Sequence, residues 1–185
     1  MRYIAFLRAI NVGGHNVTMD ELRGLFESLG LKNVETFIAS GNVSFTSPAK
    51  NIKALQRQME LHLALILGYD VSTFIRTESE LAAIAACKPF NPAQMKSAAA
   101  FNVAFLAEPL DLAATKLLMA MKTEIDDFQV RGREVYWLCK KRQSESKFSN
   151  AVFEKTLRIR ATFRGMQTIE KLVAKLALRT AAAIT

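Results

Sequence analysis

The sequence predicts an α+β protein made of two tandem βαββαβ repeats packed into one globule, with extra helices. Three observations carry this expectation. Strand-like and helix-like periods follow one another as β-α-β-β-α-β and begin again after a proline-bearing break at 88–92. Short matches between the two halves recur in the same order along the chain. The first strand is apolar on both faces, so both faces need cover.

Residues 3–10 form an apolar run rich in strand formers, and Asn11-Val12-Gly13-Gly14 ends it in a turn or loop. Thr18 is placed to cap a helix, with Glu21 three residues on completing a capping box. Leu22, Leu25, Phe26 and Leu29 recur at helical spacing, and Gly30 closes the helix. A strand over 34–39, a turn at Ser40-Gly41 and a returning strand over 42–46 make a hairpin. A helix over 51–67 carries Ile52, Leu55, Met59, Leu63 and Ile66 on one face and stops at Gly68. Residues 70–76 read as a fourth strand and 77–86 as a connecting helix, broken by Lys88-Pro89-Phe90-Asn91-Pro92. This is the order of a ferredoxin-like unit.

The second round runs through a strand at 101–106 and a helix at 111–121 with Leu112, Leu117 and Leu118 inward. A hairpin of 127–130 with 134–139 turns at Arg131-Gly132-Arg133, and a helix at 146–157 carries Phe148, Val152 and Phe153. A short strand at 160–164 and a terminal helix at 168–178 complete it. Ile4-Ala5-Phe6-Leu7 lines up with Val103-Ala104-Phe105-Leu106, Phe37-x3-Gly41 with Phe128-x3-Gly132, and Thr73-Phe74 with Thr162-Phe163. The offsets shrink from 99 to 91 to 89, as loops shorten. Tyr3, Ala5 and Leu7 point to one face of the first strand and Ile4 and Phe6 to the other, while Phe37 and Ile38 do the same on the second. The expected division is 1–90 for the first repeat with its connecting helix and 91–185 for the second with the C-terminal helix.

At 185 residues, half of them apolar, the chain can bury a substantial core, and eight glycines and four prolines leave little room for disorder. The apolar start is interrupted by Arg8 and Asn11, and no small-residue cleavage pattern comes after it, so it is not read as a signal peptide. No apolar stretch approaches the roughly 20 residues of a membrane span. Cys87 and Cys139 are far apart and read as ordinary small apolar residues in a reducing cytoplasm.

The net charge of +8 is unevenly placed. Residues 1–130 carry −1 and residues 131–185 carry +9, the second from 13 Lys/Arg against four Asp/Glu. Such asymmetry suits either a solvated basic face or a surface meeting phosphates.

In a ferredoxin-like unit the first and third strands are antiparallel neighbours, so the end of the first lies beside the turn that starts the third. Arg8, Asn11, Gly13, Gly14, His15, Ser40, Gly41 and Asn42 then converge on one edge. Glycine amides at close range and a guanidinium suit a phosphate or a carboxylate. The plainer reading makes Gly13-Gly14 and Ser40-Gly41 tight turns with Arg8 in a structural hydrogen bond. The leading expectation is a binding module for a small anionic ligand at Arg8, Asn11, Gly13, Gly14, Ser40, Gly41 and Asn42.

Catalytic signatures are missing. Neither His15 nor His62 has a Cys or His at metal-ligand spacing, and no P-loop or GxGxxG occurs. Asp20, Glu21, Asp126 and Asp127 read as helix starts and loop charges. No metal and no cofactor are expected. The alternative is sequence-independent nucleic-acid binding through Lys140, Lys141, Arg142, Lys147, Arg158, Arg160 and Arg164. Arg131-Gly132-x-x-Val135-Tyr136-Trp137 matches the third-strand pattern of RNA-recognition motifs only in part, because Arg133 and Glu134 stand where aromatic and small residues belong.

Leu7-Arg8-Ala9-Ile10-Asn11-Val12-Gly13-Gly14, followed by Ser40-Gly41-Asn42-Val43, resembles the bacterial family known as domain of unknown function 1697. The likeness continues at Arg76, at Ala104-Phe105-Leu106 and at Ser146-Lys147-Phe148. The resemblance implies a tandem ferredoxin-like arrangement and no established activity. Its hallmark positions fall on Arg8, Asn11, Gly13, Gly14, Ser40, Gly41 and Asn42, with Ser146 and Lys147 in the second half. Ala9 stands where the family usually has glycine, which suggests a tolerant strand there. The family's Arg-Asn-Trp-Asn-Thr run reads here as Arg164-Gly165-Met166-Gln167-Thr168, so a site relying on that Asn and Trp is not expected.

Overall fold

The computed structural model describes residues 1–11, 13–37 and 41–182. Among them the chain is a mixed α+β fold with two four-stranded antiparallel sheets and seven α-helices. It divides into two units, Met1–Ala83 and Ile84–Thr185.

In the first unit β1 (Arg2–Arg8), β2 (Lys32–Phe37), β3 (Asn42–Thr46) and β4 (Ser72–Thr77) lie in the order β2-β3-β1-β4. Helix α1 (Met19–Glu27) comes after β1, α2 (Ile52–Leu67) after β3, and α3 (Glu78–Ala86) after β4. The capping box at the start of α1 is formed: Glu21 N–H donates to Thr18 Oγ1 at 3.2 Å and Thr18 N–H to Glu21 Oε2 at 2.8 Å. Asn51 caps α2 and Gly68 ends it in the left-handed region at φ 79°. Tyr3, Ala5 and Leu7 of β1 share one core with Leu22 and Phe26 of α1 and Leu55, Met59 and Leu63 of α2. Each of the Leu, Phe and Met side chains stabilises by about 1.5–3 kcal/mol through burial. Ile66, expected inward, is 51% exposed: the i, i+4, i+8 row through Leu55, Met59 and Leu63 already faces the sheet, and Ile66 falls off it. Ile4 and Phe6, on the opposite face of β1, are also fully buried, as the pattern of that strand demanded.

In the second unit α4 (Pro92–Lys96) precedes β5 (Ala100–Phe105), α5 (Leu112–Ala120), β6 (Asp126–Arg131), β7 (Glu134–Cys139), α6 (Asn150–Leu157), β8 (Thr162–Gly165) and α7 (Met166–Ala182). The sheet order is β6-β7-β5-β8. The proline-bearing break thus holds a short helix that periodicity did not reveal, with Asn91 as its cap and Pro92 in its first turn, where a missing N–H costs nothing. Leu112 and Leu117 are exposed rather than inward, because the Asp111 cap sets a phase that turns Ala114 and Leu118 to the core. The helix expected from 146 begins only at Asn150, after Ser149 caps it, and Val152 is exposed. An aromatic cluster of Phe128, Trp137, Phe148, Phe153 and Phe163 fills this core, with Phe128 and Phe148 centroids 4.5 Å apart.

Strand register corrects one of the matches between halves. Phe37 pairs with Asn42 at the mouth of its hairpin, whereas Phe128 pairs with Trp137 and Arg131 holds the place beside the turn. Register reveals another match instead. Arg76 stands opposite Ile4 and Arg164 opposite Val103, so the last strand of each sheet carries a buried arginine beside the first. Among the described residues no helix is long and apolar enough to cross a membrane.

Candidate functional site

The β1–β3 pairing brings the hairpin turn to the end of β1: Phe6 pairs with Asn42, and Leu7 N–H donates to the Gly41 carbonyl at 2.8 Å. Gly41 has φ 73°, and a Cβ there would stand 2.8 Å from Ile10 Cγ2 and 3.1 Å from Leu7 Cβ. Only glycine fits. Ala9 also lies in the left-handed region, at φ 65°. The position is therefore not tolerant, as its departure from glycine suggested; it is strained, by about 1–2 kcal/mol.

Beyond Ala9 the chain leaves the sheet and is held by polar side chains. Ile10 is buried, and its carbonyl accepts the Tyr69 hydroxyl at 2.8 Å. Partial burial raises the Tyr69 phenol above its ordinary value, so it stays a donor. The His15 ring stacks on Tyr69 with centroids 3.8 Å apart. Asn11 clasps Val17 from both ends of its amide, accepting from Val17 N–H at 2.8 Å and donating to its carbonyl at 3.4 Å. Between these anchors Gly13 and Gly14 are exposed at φ 67° and 87°.

The expected site residues thus divide by task. Asn42 is fully buried and its Nδ2 donates to the Phe37 carbonyl at 2.9 Å, closing the hairpin. Gly41 allows close packing, and Asn11 braces the loop. Arg8 is half-buried opposite Ser72 at the edge where the loop departs. Gly13, Gly14 and His15 are exposed in the loop beyond it. Ser40 lies outside the described residues.

The basic set divides as well. Lys140, Lys141, Arg142, Lys147, Arg158 and Arg160 are exposed. Arg164 is not: it is buried and donates to Thr162 Oγ1 at 2.7 Å and the Phe163 carbonyl at 2.8 Å, with burial lowering its pKa to about 10. Tyr136 and Trp137 of β7 are buried too, so that strand offers no stacking surface for bases.

The polar centre that sequence reasoning missed is Asp126. Expected as a loop or helix-start charge, it opens β6 and is 2% exposed. Its carboxylate accepts Trp137 Nε1–H at 2.8 Å, the Ser146 hydroxyl at 2.9 Å and the Thr123 hydroxyl at 3.0 Å. Ser146 is thereby spent on the fold. Asp127 is next in the same strand, paired with Lys122 and accepting from Gln94 Nε2 at 2.8 Å. The signal available was the Asp126–Trp137 spacing across a hairpin, which only register reveals. Cys87 and Cys139 are free, and burial raises the Cys139 thiol, the opposite of an activated nucleophile. Among the described residues no group of three His, Cys, Asp or Glu could hold a metal.

Comparison with known proteins adds a family and a fold. The model of the family described as Protein of unknown function (DUF1697) matches residues 1–136, which takes in the whole β1 edge and ends short of Ser146 and Lys147. No curated protein matches the chain. Among solved structures, the conserved bacterial protein SP0830 from Streptococcus pneumoniae is similar at 24% identity, covering 95% of this chain and 98% of that one, with a TM-score of 0.71. That likeness is one of fold.

Proposed function

We propose, for a chain that belongs to the DUF1697 family, that it is a binding module for a small phosphate- or carboxylate-bearing ligand, held where β1 ends. The observation that carries this reading is the build of residues 9–11 and 13–17. The Asn11 clasp and the Tyr69–Ile10 bond flank two exposed glycines in left-handed conformations. A loop needing only to connect would not keep Ala9 strained. Arg8 at its base supplies a cation, and the Gly13 and Gly14 amides supply donors that no side chain shields. The test is an amide-resolved NMR titration with inorganic phosphate and glycerol 3-phosphate. Shifts confined to Gly13, Gly14 and His15, lost in an Arg8→Ala variant that remains folded, are expected. No shift at these amides with either compound ends the reading.

We also infer that each unit is a ferredoxin-like βαββαβ fold and that the two are diverged copies. Support comes from the shared strand order and from Arg76 and Arg164 in matching register. The bacterial cytoplasm is the compartment that suits two free thiols. A second reading, nucleic-acid binding by Lys140, Lys141, Arg142, Lys147, Arg158 and Arg160, is favoured by the exposure of all six. It requires affinity for single-stranded RNA or DNA that falls steeply with salt; salt-independent binding, or none at low salt, removes it.

A further inference from the structure

Two cavities of the second unit meet at four residues. The larger, about 750 Å³, is walled by Pro89, Phe90 and Pro92. The smaller, about 460 Å³, lies over the junction of β8 and α7, lined by Asn102, Gly165, Gln167 and Thr168. Met95, Phe101, Met166 and Glu170 line both, which makes them two limbs of one cleft, apolar and polar. In the apolar limb the Phe90 and Phe101 rings meet edge to face with centroids 5.9 Å apart.

Two independent features of the polar limb ask for an acceptor oxygen. The first is the start of α7, a helix of 17 residues that leaves β8 directly, so that Gly165 stands where α1, α2, α5 and α6 have a capping side chain. Its first-turn N–H groups have no acceptor within the helix and carry the positive end of its dipole. The second is Asn102, 6% exposed on β5 and lining the same limb, whose Nδ2 has no hydrogen-bond partner. A buried amide donor left unpaired is destabilising unless a ligand or water accepts from it. The charge of the oxygen's owner is set by the rest of the lining. Among the described residues lining the polar limb there is no Lys or Arg, and Glu170 is present, while Lys88 and Lys96 line the apolar limb. A phosphate dianion would face repulsion without a compensating cation, whereas a single carboxylate is satisfied by oriented N–H donors.

We propose that this cleft binds a small monocarboxylate with an apolar or aromatic body, its carboxylate accepting from the Asn102 amide and the first-turn N–H groups at Gln167 and Thr168, its body lying against Phe90, Phe101 and Met95. The cleft shares no residue with the loop after β1, so the two sites stand or fall separately.

The experiment is an NMR titration of the full chain with 3-phenylpropanoate, run beside 3-phenylpropan-1-ol, which keeps the body and lacks the charge. Saturable shifts at Gln167, Thr168 and the Asn102 side-chain amide are expected, with the alcohol weaker by about tenfold. Asn102→Leu keeps the branched shape and removes the unpaired donor, so the melting temperature holds or rises while affinity for the acid falls by about tenfold. Glu170 is exposed, and Glu170→Gln tests the charge argument without touching the core: affinity for the acid should rise by about two- to threefold. Equal affinity for acid and alcohol, unchanged affinity in both variants, or shifts confined to Gly13 and Gly14 would each overturn the proposal.

Discussion

The same edge of the two sheets is built from one backbone frame and finished in two ways. In the first unit Leu7 N–H donates to Gly41 in the hairpin turn at 2.8 Å; in the second, Leu106 N–H donates to Arg133 in its turn at 3.0 Å. Past this shared bond the two chains diverge. Residues 9–18 after β1 include Gly13, Gly14 and the left-handed Ala9, and polar side chains tie them down. Residues 106–111 after β5 include Pro109 and no glycine, and run straight to the Asp111 cap of α5. The second unit spends its polar chemistry inside instead, on Asp126. The lesson is that the residues of the shared frame serve the fold, and the two units differ in the loop that leaves it.

The sharpest break of that contrast is at Asp126. Asp126→Ala leaves the Trp137, Ser146 and Thr123 donors without an acceptor, and should cost about 3 kcal/mol. Trp137 is the single tryptophan of the chain, so its fluorescence during urea unfolding reads this loss directly. Arg8→Ala, half-buried at the end of β1, should cost less, about 1 kcal/mol. Equal losses in the two variants would erase the distinction between frame and loop.

Gly41→Ala tests the frame from the other side. The new Cβ meets Ile10 and Leu7 at positive φ, and the cost should be about 2 kcal/mol or more. A variant that melts with the parent would mean that the turn can shift, and that Gly41 is free for another task.

This division explains what was legible beforehand. Periodicity and caps are local, so the strands, Thr18, Asn51 and the meeting of the end of β1 with Gly41 could be read from the chain. Which side chains remain for a ligand could not, because Asn42 and Asn11 look identical in sequence whether they face solvent or a backbone carbonyl. Asp126 and Arg164 were misplaced for the same reason: a charge next to an apolar run gives no sign that strand register will bury it. Leu112 and Leu117 were misplaced because a short helix with apolar residues all round leaves its phase to the cap.

Ala9→Gly should act in the opposite direction, stabilising the protein. Glycine relieves about 1–2 kcal/mol of left-handed strain. It also loosens the unfolded chain by about 0.4–1 kcal/mol, so the net gain is about 0.5 kcal/mol. Thermal unfolding at neutral pH measures it. Destabilisation would show that Ala9 makes packing contacts outweighing its backbone strain, and the loop would then be anchored at its first residue as well as by Asn11.

The smallest effect distinguishes the helices that come after the two loops. Helix α1 has the reciprocal box of Thr18 and Glu21, whereas α5 has only Asp111 accepting from Ala114 N–H at 2.7 Å, with alanine where the box glutamate would be. The Thr18 backbone N–H, then its hydroxyl, favour the ionised Glu21 and lower its pKa below the usual 4.5. The folded value lies under the unfolded one, so the box contributes fully above about 4.5 and its contribution is lost as pH falls through the lowered value. Glu21 is fully exposed, and water screens most of the gain. The readout should therefore be local: the Thr18 and Glu21 amide shifts move together on acidification, and Glu21→Gln flattens both. Uncoupled Thr18 and Glu21 titrations would mean that α1 is held by its buried face and not by its cap, and that the loop before it is anchored only at Asn11 and Tyr69.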